Sequence, residues 1–223
     1  MDDIALFTMG GLDFVFRWIH FLAGITWIGL LYYFNFVQTE YFKEAEAEHR
    51  SGAIQKLVPR ALWWFRWGAM FTFLSGLCLL AYRHTGLTFD ITIGATLGTL
   101  MFLNVWLIIW PNQKIVIASA TQVAEGGAAL PEAGDAAPKA ALASRTNTLF
   151  SIPMLWFMGT SAHMPTGMVA DASMLALVIA LLIVFALEAN GIFGKQGPMQ
   201  SVAGVIHMGI LMTIVLYGVM LLL

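Results

Sequence analysis

The sequence has few charged residues and a single cysteine. Only 11% of its 223 residues are charged and 59% are hydrophobic, whereas a soluble domain usually has about 25% charged residues. This composition indicates an integral membrane protein. The lone cysteine, Cys78, excludes an internal disulfide and any multi-cysteine metal or iron–sulfur site. The net charge of -2 comes without a basic patch, so we expect no nucleic-acid partner.

Several motifs that mark catalytic or cofactor sites are also absent. The sequence contains no Cys-x-x-Cys-His, which excludes a covalently attached c-type haem within these residues. It contains no His-Glu-x-x-His, nucleophile elbow or phosphate loop, which argues against the corresponding zinc protease, hydrolase and nucleotide-binding chemistry. The chain begins Met-Asp-Asp without a basic region, and we expect no removable signal peptide.

Long apolar stretches dominate what is present. A helix needs about 20 apolar residues to cross the hydrocarbon of a bilayer, and six stretches are near that length. We therefore predict an all-α integral membrane protein, a single domain over residues 1–223 built as a bundle of about six transmembrane helices. The predicted spans are residues 14–37, 61–82, 91–110, 148–164, 172–189 and 202–222.

Two of the connections between these spans are long. Residues 38–60 combine good helix formers with mixed charge, which predicts a helix at the cytoplasmic membrane surface. Residues 125–143 are rich in Ala, Gly and Pro, which predicts a flexible cytoplasmic loop.

Lysine and arginine are unevenly distributed among the connections. Nearly all of them follow spans one, three and five, and only Arg17 and Arg83 fall on the opposite side. Basic residues favour the cytoplasmic side of a membrane. We therefore expect a multi-pass protein of the bacterial inner membrane, with both termini in the periplasm.

The first span carries a histidine inside an apolar helix. Helical spacing places Arg17, His20, Gly24 and Trp27 on one face of that helix. An ionisable side chain within a membrane is costly and by default indicates a functional site. The predicted topology brings His84 and His163 to the same outer side as His20, and places His207 toward the cytoplasmic half.

This set of residues is typical of a b-type haem site. The iron of such a haem takes two neutral imidazoles from different helices, and its anionic propionates favour arginine partners. We predict that His20 and His163 are the axial ligands, with His207 as the alternative ligand. Arg17 and Arg83 would hold the propionates, Trp27 would line the site, and His84 is an interfacial residue that would also be within reach of the propionates.

Other interpretations of the same residues remain open. Each membrane histidine would also be explained by a hydrogen bond to a neighbouring helix. Copper is the alternative metal, because thioether sulfur suits Cu(I) and two pairs of methionines recur at helical spacing, Met154 with Met158 and Met208 with Met212. Glu188 would either carry protons, pair with Arg66 or fill a structural role.

Four stretches resemble known membrane families. The pattern of His20, Trp27 and Gly29 in the first span resembles the copper-resistance D-type proteins and the membrane-bound protoporphyrinogen oxidase. Three further stretches resemble successive blocks of the membrane-bound urate hydroxylase family. They begin at Phe65 (Phe-Arg-Trp-Gly-Ala-Met), at Asn104 (Asn-Val-Trp-Leu-Ile-Ile-Trp-Pro-Asn-Gln) and at Thr146, the last with a central Pro153 and a late His163-Met-Pro.

The urate hydroxylase family joins a multi-span membrane domain to a C-terminal c-type cytochrome, oxidises urate and passes electrons to the respiratory chain. The residues that carry over by match are His20, Trp27, Pro153 and His163. The sequence departs from the family pattern at Gly68, where the family block has an acidic residue, and the 223 residues include no cytochrome.

Taken with the set of histidines and arginines, the resemblance leads us to predict a haem-b-containing redox protein, an oxidoreductase or a subunit of one. It would pass electrons from quinol or a small reductant toward a periplasmic cytochrome c. The alternatives are a non-catalytic membrane subunit of a larger respiratory or oxygenase complex, and a copper-handling membrane protein. Membrane lipid surrounds the chain in every case.

Overall fold

The computed structural model describes residues 5–83, 86–169 and 173–223, and His84 lies outside these described residues. The described part contains seven helices longer than one turn. We number them α1 (Met9–Glu44), α2 (Ala47–Lys56), α3 (Val58–Ala81), α4 (Phe89–Ala124), α5 (Ala133–His163), α6 (Met174–Phe193) and α7 (Val202–Leu222). The predicted all-α class is confirmed.

Five of these helices are long and apolar enough to cross a membrane. They are α1, α3, α4, α6 and α7, and each overlaps nearly all of one of the six predicted spans. The sixth, residues 148–164, is the second half of α5 and does not reach the same hydropathy. Residues 145–151 lower the mean hydropathy of α5, because they include Arg, Asn, Ser and two Thr. All seven residues are buried against other helices. Helix α5 is the centre of the bundle.

The flexible loop predicted over residues 125–143 is shorter in the structure. Helix α5 begins at Ala133, so only the first part of that stretch is non-helical. Alanine is the best helix former, and Ala136, Ala140 and Ala143 are buried on one side of the new helix. The alanines that indicated flexibility therefore form a close helix contact instead. The predicted surface helix over residues 38–60 is divided between the end of α1, the whole of α2 and the start of α3.

Two of the long helices contain a π-helical turn. The turn in α1 spans Tyr33–Gln38, and the turn in α4 spans Asn104–Ile109. Each contains a buried asparagine that donates to α5: Asn35 to the hydroxyl of Ser144, at 2.8 Å, and Asn104 to the amide oxygen of Asn147, at 3.0 Å. Turns of this kind are frequent at functional sites.

The helices run between two ends of the bundle. Helices α1 and α5 are antiparallel, because Tyr32 contacts Ser151 through their hydroxyls while Asn35 contacts Ser144. We call the end at which α1 begins and α5 ends the His163 end. The opposite end, where Arg145 lies 3.9 Å from Glu40 of α1, is the Arg145 end.

Helix α1 packs on α3 through a glycine. A Cβ at the buried Gly68 of α3 would lie 3.1 Å from the backbone nitrogen of Trp27 and 3.3 Å from the carbonyl oxygen of Ala23. Both atoms belong to the backbone of α1, so neither can rotate away. The two helices approach this closely because position 68 has no side chain.

Replacing Gly68 with valine is therefore expected to separate α1 from α3. We expect the free energy of unfolding to fall by about 1–3 kcal/mol, the usual range for overpacking. Denaturant unfolding of the detergent-solubilised protein, followed by circular dichroism, measures the change. Gly29→Val is the matched control, because a Cβ at Gly29 meets nothing within 4 Å. Equal losses in the two variants would contradict the close contact at Gly68.

Candidate functional site

His20 lies in a notch on the surface of α3. Its Nδ1 is 2.9 Å from the carbonyl oxygen of Thr72 and 3.2 Å from the hydroxyl of Ser75. Because a carbonyl oxygen can only accept, Nδ1 carries the hydrogen. The ring lies over Gly76, where a Cβ would be 3.2 Å from the imidazole Cε1. The imidazole orientation is therefore fixed, with its lone pair on Nε2.

The helix face predicted for the first span packs against α3, except at Arg17. Gly24 faces the Thr72 side chain, and Trp27 is 2% exposed beside Gly68. The indole nitrogen of Trp27 is buried without a hydrogen-bond partner among the described residues. Arg17 instead turns to Asp13 on the same helix, 3.0 Å away, in an exposed ion pair.

Arg83 contacts the last turn of α5, which ends at His163. A guanidinium nitrogen of Arg83 donates to the carbonyl oxygen of Ser161, at 3.3 Å, in the last turn of α5. His163 is the last residue of α5, and its side chain is exposed. Cations stabilise the exposed carbonyl groups at a helix C-terminus, so Arg83 joins the end of α3 to the end of α5.

The contact between Tyr32 and Ser151 gives the depths of three predicted ligands. His20 precedes Tyr32 by twelve residues, and His163 follows Ser151 by twelve residues. Because the two helices are antiparallel, both histidines lie roughly 18 Å from that contact, toward the same end. His207 is exposed on α7, two residues from Gly209, which packs on Ile152. It therefore lies near the depth of the Tyr32–Ser151 contact.

A buried carboxylate at the His163 end was not predicted as a site residue. Asp90 is 0% exposed in the first turn of α4. It accepts from the Thr160 hydroxyl at 2.7 Å, and from the backbone N–H and hydroxyl of Thr166 at 2.8 and 2.9 Å. The sequence signal was an aspartate two residues after a helix-capping threonine, Thr88. Asp90 fixes the chain that follows α5 onto the start of α4.

A second buried polar cluster lies between α4, α5 and α6. The amide of Asn104 donates to Glu188 at 3.1 Å and to Asn147 at 3.0 Å. The predicted alternative pairing of Glu188 with Arg66 is absent from the ion pairs of the described residues. The guanidinium of Arg66 lies 3.9 Å from the centre of the Trp110 ring instead. The sequence showed each polar residue but not the partner that it faces.

The methionines proposed for copper belong to the hydrophobic core. Met154 and Met212 are buried in it, and Met158 and Met208 pack against it. Over residues 5–83, 86–169 and 173–223, no three His, Cys, Asp or Glu side chains form a group that would hold a metal ion. The copper prediction therefore gains no geometric support.

Two cavities in the described part of the structure are lined without a histidine. The larger, about 440 Å³, is bounded by one face of α4 with Leu80 and Phe185. The smaller, about 250 Å³, lies beside Phe89 and Met168. A haem held by His20 and His163 would not occupy either of these cavities. The residues fit it at His20, where Nδ1–H···O=C bonding and a glycine under the ring leave Nε2 as a ligand.

Comparison with known proteins gives one match. The family model for the urate oxidase N-terminal domain matches residues 83–221, more than half of the chain. The match includes α4 to α7, and therefore Asp90, Asn104, His163 and Glu188, and does not extend to α1 and His20. No curated protein and no solved structure matches the chain.

Proposed function

Because the chain belongs to the urate oxidase N-terminal family, we propose that it is the membrane domain of an oxidoreductase similar to membrane-bound urate hydroxylase. In this proposal it holds one b-type haem near the His163 end and passes electrons toward a periplasmic cytochrome c. When bound, the haem supplies one-electron transfer. The protein supplies the ligands, their orientation and the surrounding charge.

The observation that carries this proposal is the hydrogen bonding of His20. A histidine that ligates a metal usually donates its other ring N–H to a backbone carbonyl, which fixes the tautomer and the ring orientation. His20 has this arrangement with Thr72 at 2.9 Å. Its Nε2 would be the iron ligand, and the absence of a side chain at Gly76 gives the imidazole room against α3.

His163 is proposed as the second ligand because of its depth. His20 and His163 lie on different helices, at similar distances from the Tyr32–Ser151 contact, as two ligands of one iron require. His207 lies roughly 18 Å from that depth, so it is the weaker alternative. Arg83, which is held at the end of α5 by Ser161, is proposed to pair with a propionate. For the exposed Arg17 to pair with a propionate, it would first have to break its ion pair with Asp13.

The expected topology determines which side of the membrane the proposed site faces. In this proposal the His163 end faces the periplasm, because the Lys and Arg residues of the connections gather at the Arg145 end. Electrons would then leave on the side where a soluble cytochrome c has access. The tightly packed Gly68 leaves no room for a carboxylate at the position where the urate hydroxylase block has one, so the reductant in this proposal is a quinol or a small molecule other than urate.

The visible spectrum of the purified protein tests the proposal. After mild detergent extraction we expect a Soret band and a reduced spectrum typical of a b-type haem, with stoichiometric iron. Absence of a Soret band in well-folded protein would contradict the haem. Copper without iron in metal analysis would favour the copper-handling alternative, and larger subunits that co-purify without any cofactor on this chain would favour the non-catalytic subunit.

A further inference from the structure

Glu188 is a buried carboxyl group in the half of the bundle opposite the proposed haem. Its side chain belongs to α6 and the residue is 7% exposed. One hydrogen bond reaches it in the described structure, from the amide nitrogen of Asn104 to Oε2 at 3.1 Å. An ionised carboxylate can accept about four hydrogen bonds, so a single neutral donor leaves it poorly stabilised in a buried site.

The orientation of Asn104 is fixed by its neighbours. The amide nitrogen of Asn147 donates to the carbonyl oxygen of Met101 at 2.9 Å, which turns its amide oxygen toward Asn104. Asn104 donates one amide hydrogen to that oxygen, at 3.0 Å, and the other to Glu188. Asn104 begins the π-helical turn of α4. The three helices thus present a neutral hydrogen-bond donor to the carboxyl group.

No cation compensates a negative charge at Glu188 among the described residues. The charged or titratable residues on the helices that pack against α6 form neither an ion pair nor a hydrogen bond with it: Asp90, Lys114, Asp135, Lys139, Arg145, His163, His207 and Tyr217. Arg145 is buried, but its guanidinium lies 3.9 Å from the carboxylate of Glu40 instead. An uncompensated buried charge costs several kcal/mol.

These observations favour the neutral form of the side chain. The carboxylic acid needs only to accept one hydrogen bond, which Asn104 supplies, and it carries no charge into the bundle. Glu188 lies five residues from the end of α6 at Phe193, roughly 8 Å along the helix. The Arg145 end is therefore the nearer end of α6, and we expect protons to reach the carboxyl group from that side.

We propose that Glu188 is a proton-binding site, protonated at neutral pH and in exchange with the Arg145 end of the bundle. The ligand is the proton itself, held on a carboxyl oxygen between three helices. The site does not depend on the proposed haem, because neither His20 nor His163 takes part in it. The urate oxidase N-terminal match includes all of its residues but assigns none of them a role.

Infrared spectroscopy of the detergent-solubilised protein tests the proposal directly. We expect the wild type at neutral pH to show a carboxylic-acid C=O band that shifts on exchange into D₂O and disappears as the pH rises. Glu188→Gln should lose this band, since glutamine keeps the size of the side chain and an oxygen for Asn104. The matched control is Glu40→Gln, whose carboxylate is partly exposed and ion-paired with Lys43, and it should keep the band.

Labelling with the hydrophobic reagent dicyclohexylcarbodiimide gives a second, covalent measurement on the wild type alone. The reagent adds to a protonated carboxyl group, so mass spectrometry should find it on the peptide that contains Glu188. Labelling carried out at high pH should give much less of this adduct. A carboxylate band that Glu188→Gln removes at neutral pH would overturn the proposal. Protection by sodium at constant pH would also overturn it, in favour of a cation site.

Discussion

Replacing Asp90 with alanine is expected to destabilise the protein by about 3 kcal/mol or more. The carboxylate is fully buried and accepts three hydrogen bonds, from Thr160 and twice from Thr166. Hydrogen bonds to a charged group each contribute about 1.5–3 kcal/mol. The substitution removes the acceptor of all three hydrogen bonds and also leaves the part-buried backbone N–H of Thr166 unpaired. Denaturant unfolding in detergent, followed by circular dichroism, measures the loss.

Two control variants separate the role of the carboxylate from that of the charge. Asp90→Asn keeps an oxygen that accepts, so we expect a smaller loss, since part of the network is retained. Asp13→Ala removes an exposed aspartate whose ion pair with Arg17 is a surface i,i+4 pair, and such pairs contribute about 0.3–0.5 kcal/mol. If Asp90→Ala were as mild as Asp13→Ala, the attachment of the chain after α5 to α4 would depend on other contacts.

The sequence predicted the helices better than it predicted their arrangement. Apolar length identified five spans, because hydropathy is a property of the segment itself. The sixth predicted span, residues 148–164, is the second half of α5 and falls short of the hydropathy of the other five. Helix α5 lies at the centre of the bundle, where neighbouring helices supply partners for polar side chains such as Asn147 and Ser151. Local composition carries no information about which helix is surrounded by the others.

The polar residues singled out in the bundle differed in how far their roles could be predicted from the sequence. The common face of His20, Gly24 and Trp27 follows from helical spacing, and it packs on α3. The partner that holds the imidazole is a backbone carbonyl, of Thr72, which no side-chain pattern reveals. Asp90 and Glu188 looked alike in sequence as single acids near helix ends. Asp90 accepts three hydrogen bonds, whereas Glu188 accepts one from a neutral amide. That difference arises only when the helices pack.

Replacing His20 with alanine is expected to abolish haem binding. In the proposed site Nε2 of His20 is one of two protein ligands of the iron, and alanine offers none. The Soret absorbance per mole of purified protein should fall to the background of the preparation. His163→Ala should have the same effect. His207→Ala should keep the wild-type spectrum, because His207 is exposed on α7 at a different depth.

A ligand replacement distinguishes coordination from a purely structural role of His20. Methionine at this position would bring a thioether to the iron, and an axial methionine raises the reduction potential of a haem. We expect His20→Met to retain some haem with a shifted spectrum and a higher potential, measured by redox titration with optical detection. Circular dichroism and gel filtration show whether each variant is folded. A His20→Ala protein that keeps the wild-type spectrum would remove His20 from the ligands, and its bond to Thr72 would then serve only to join α1 to α3.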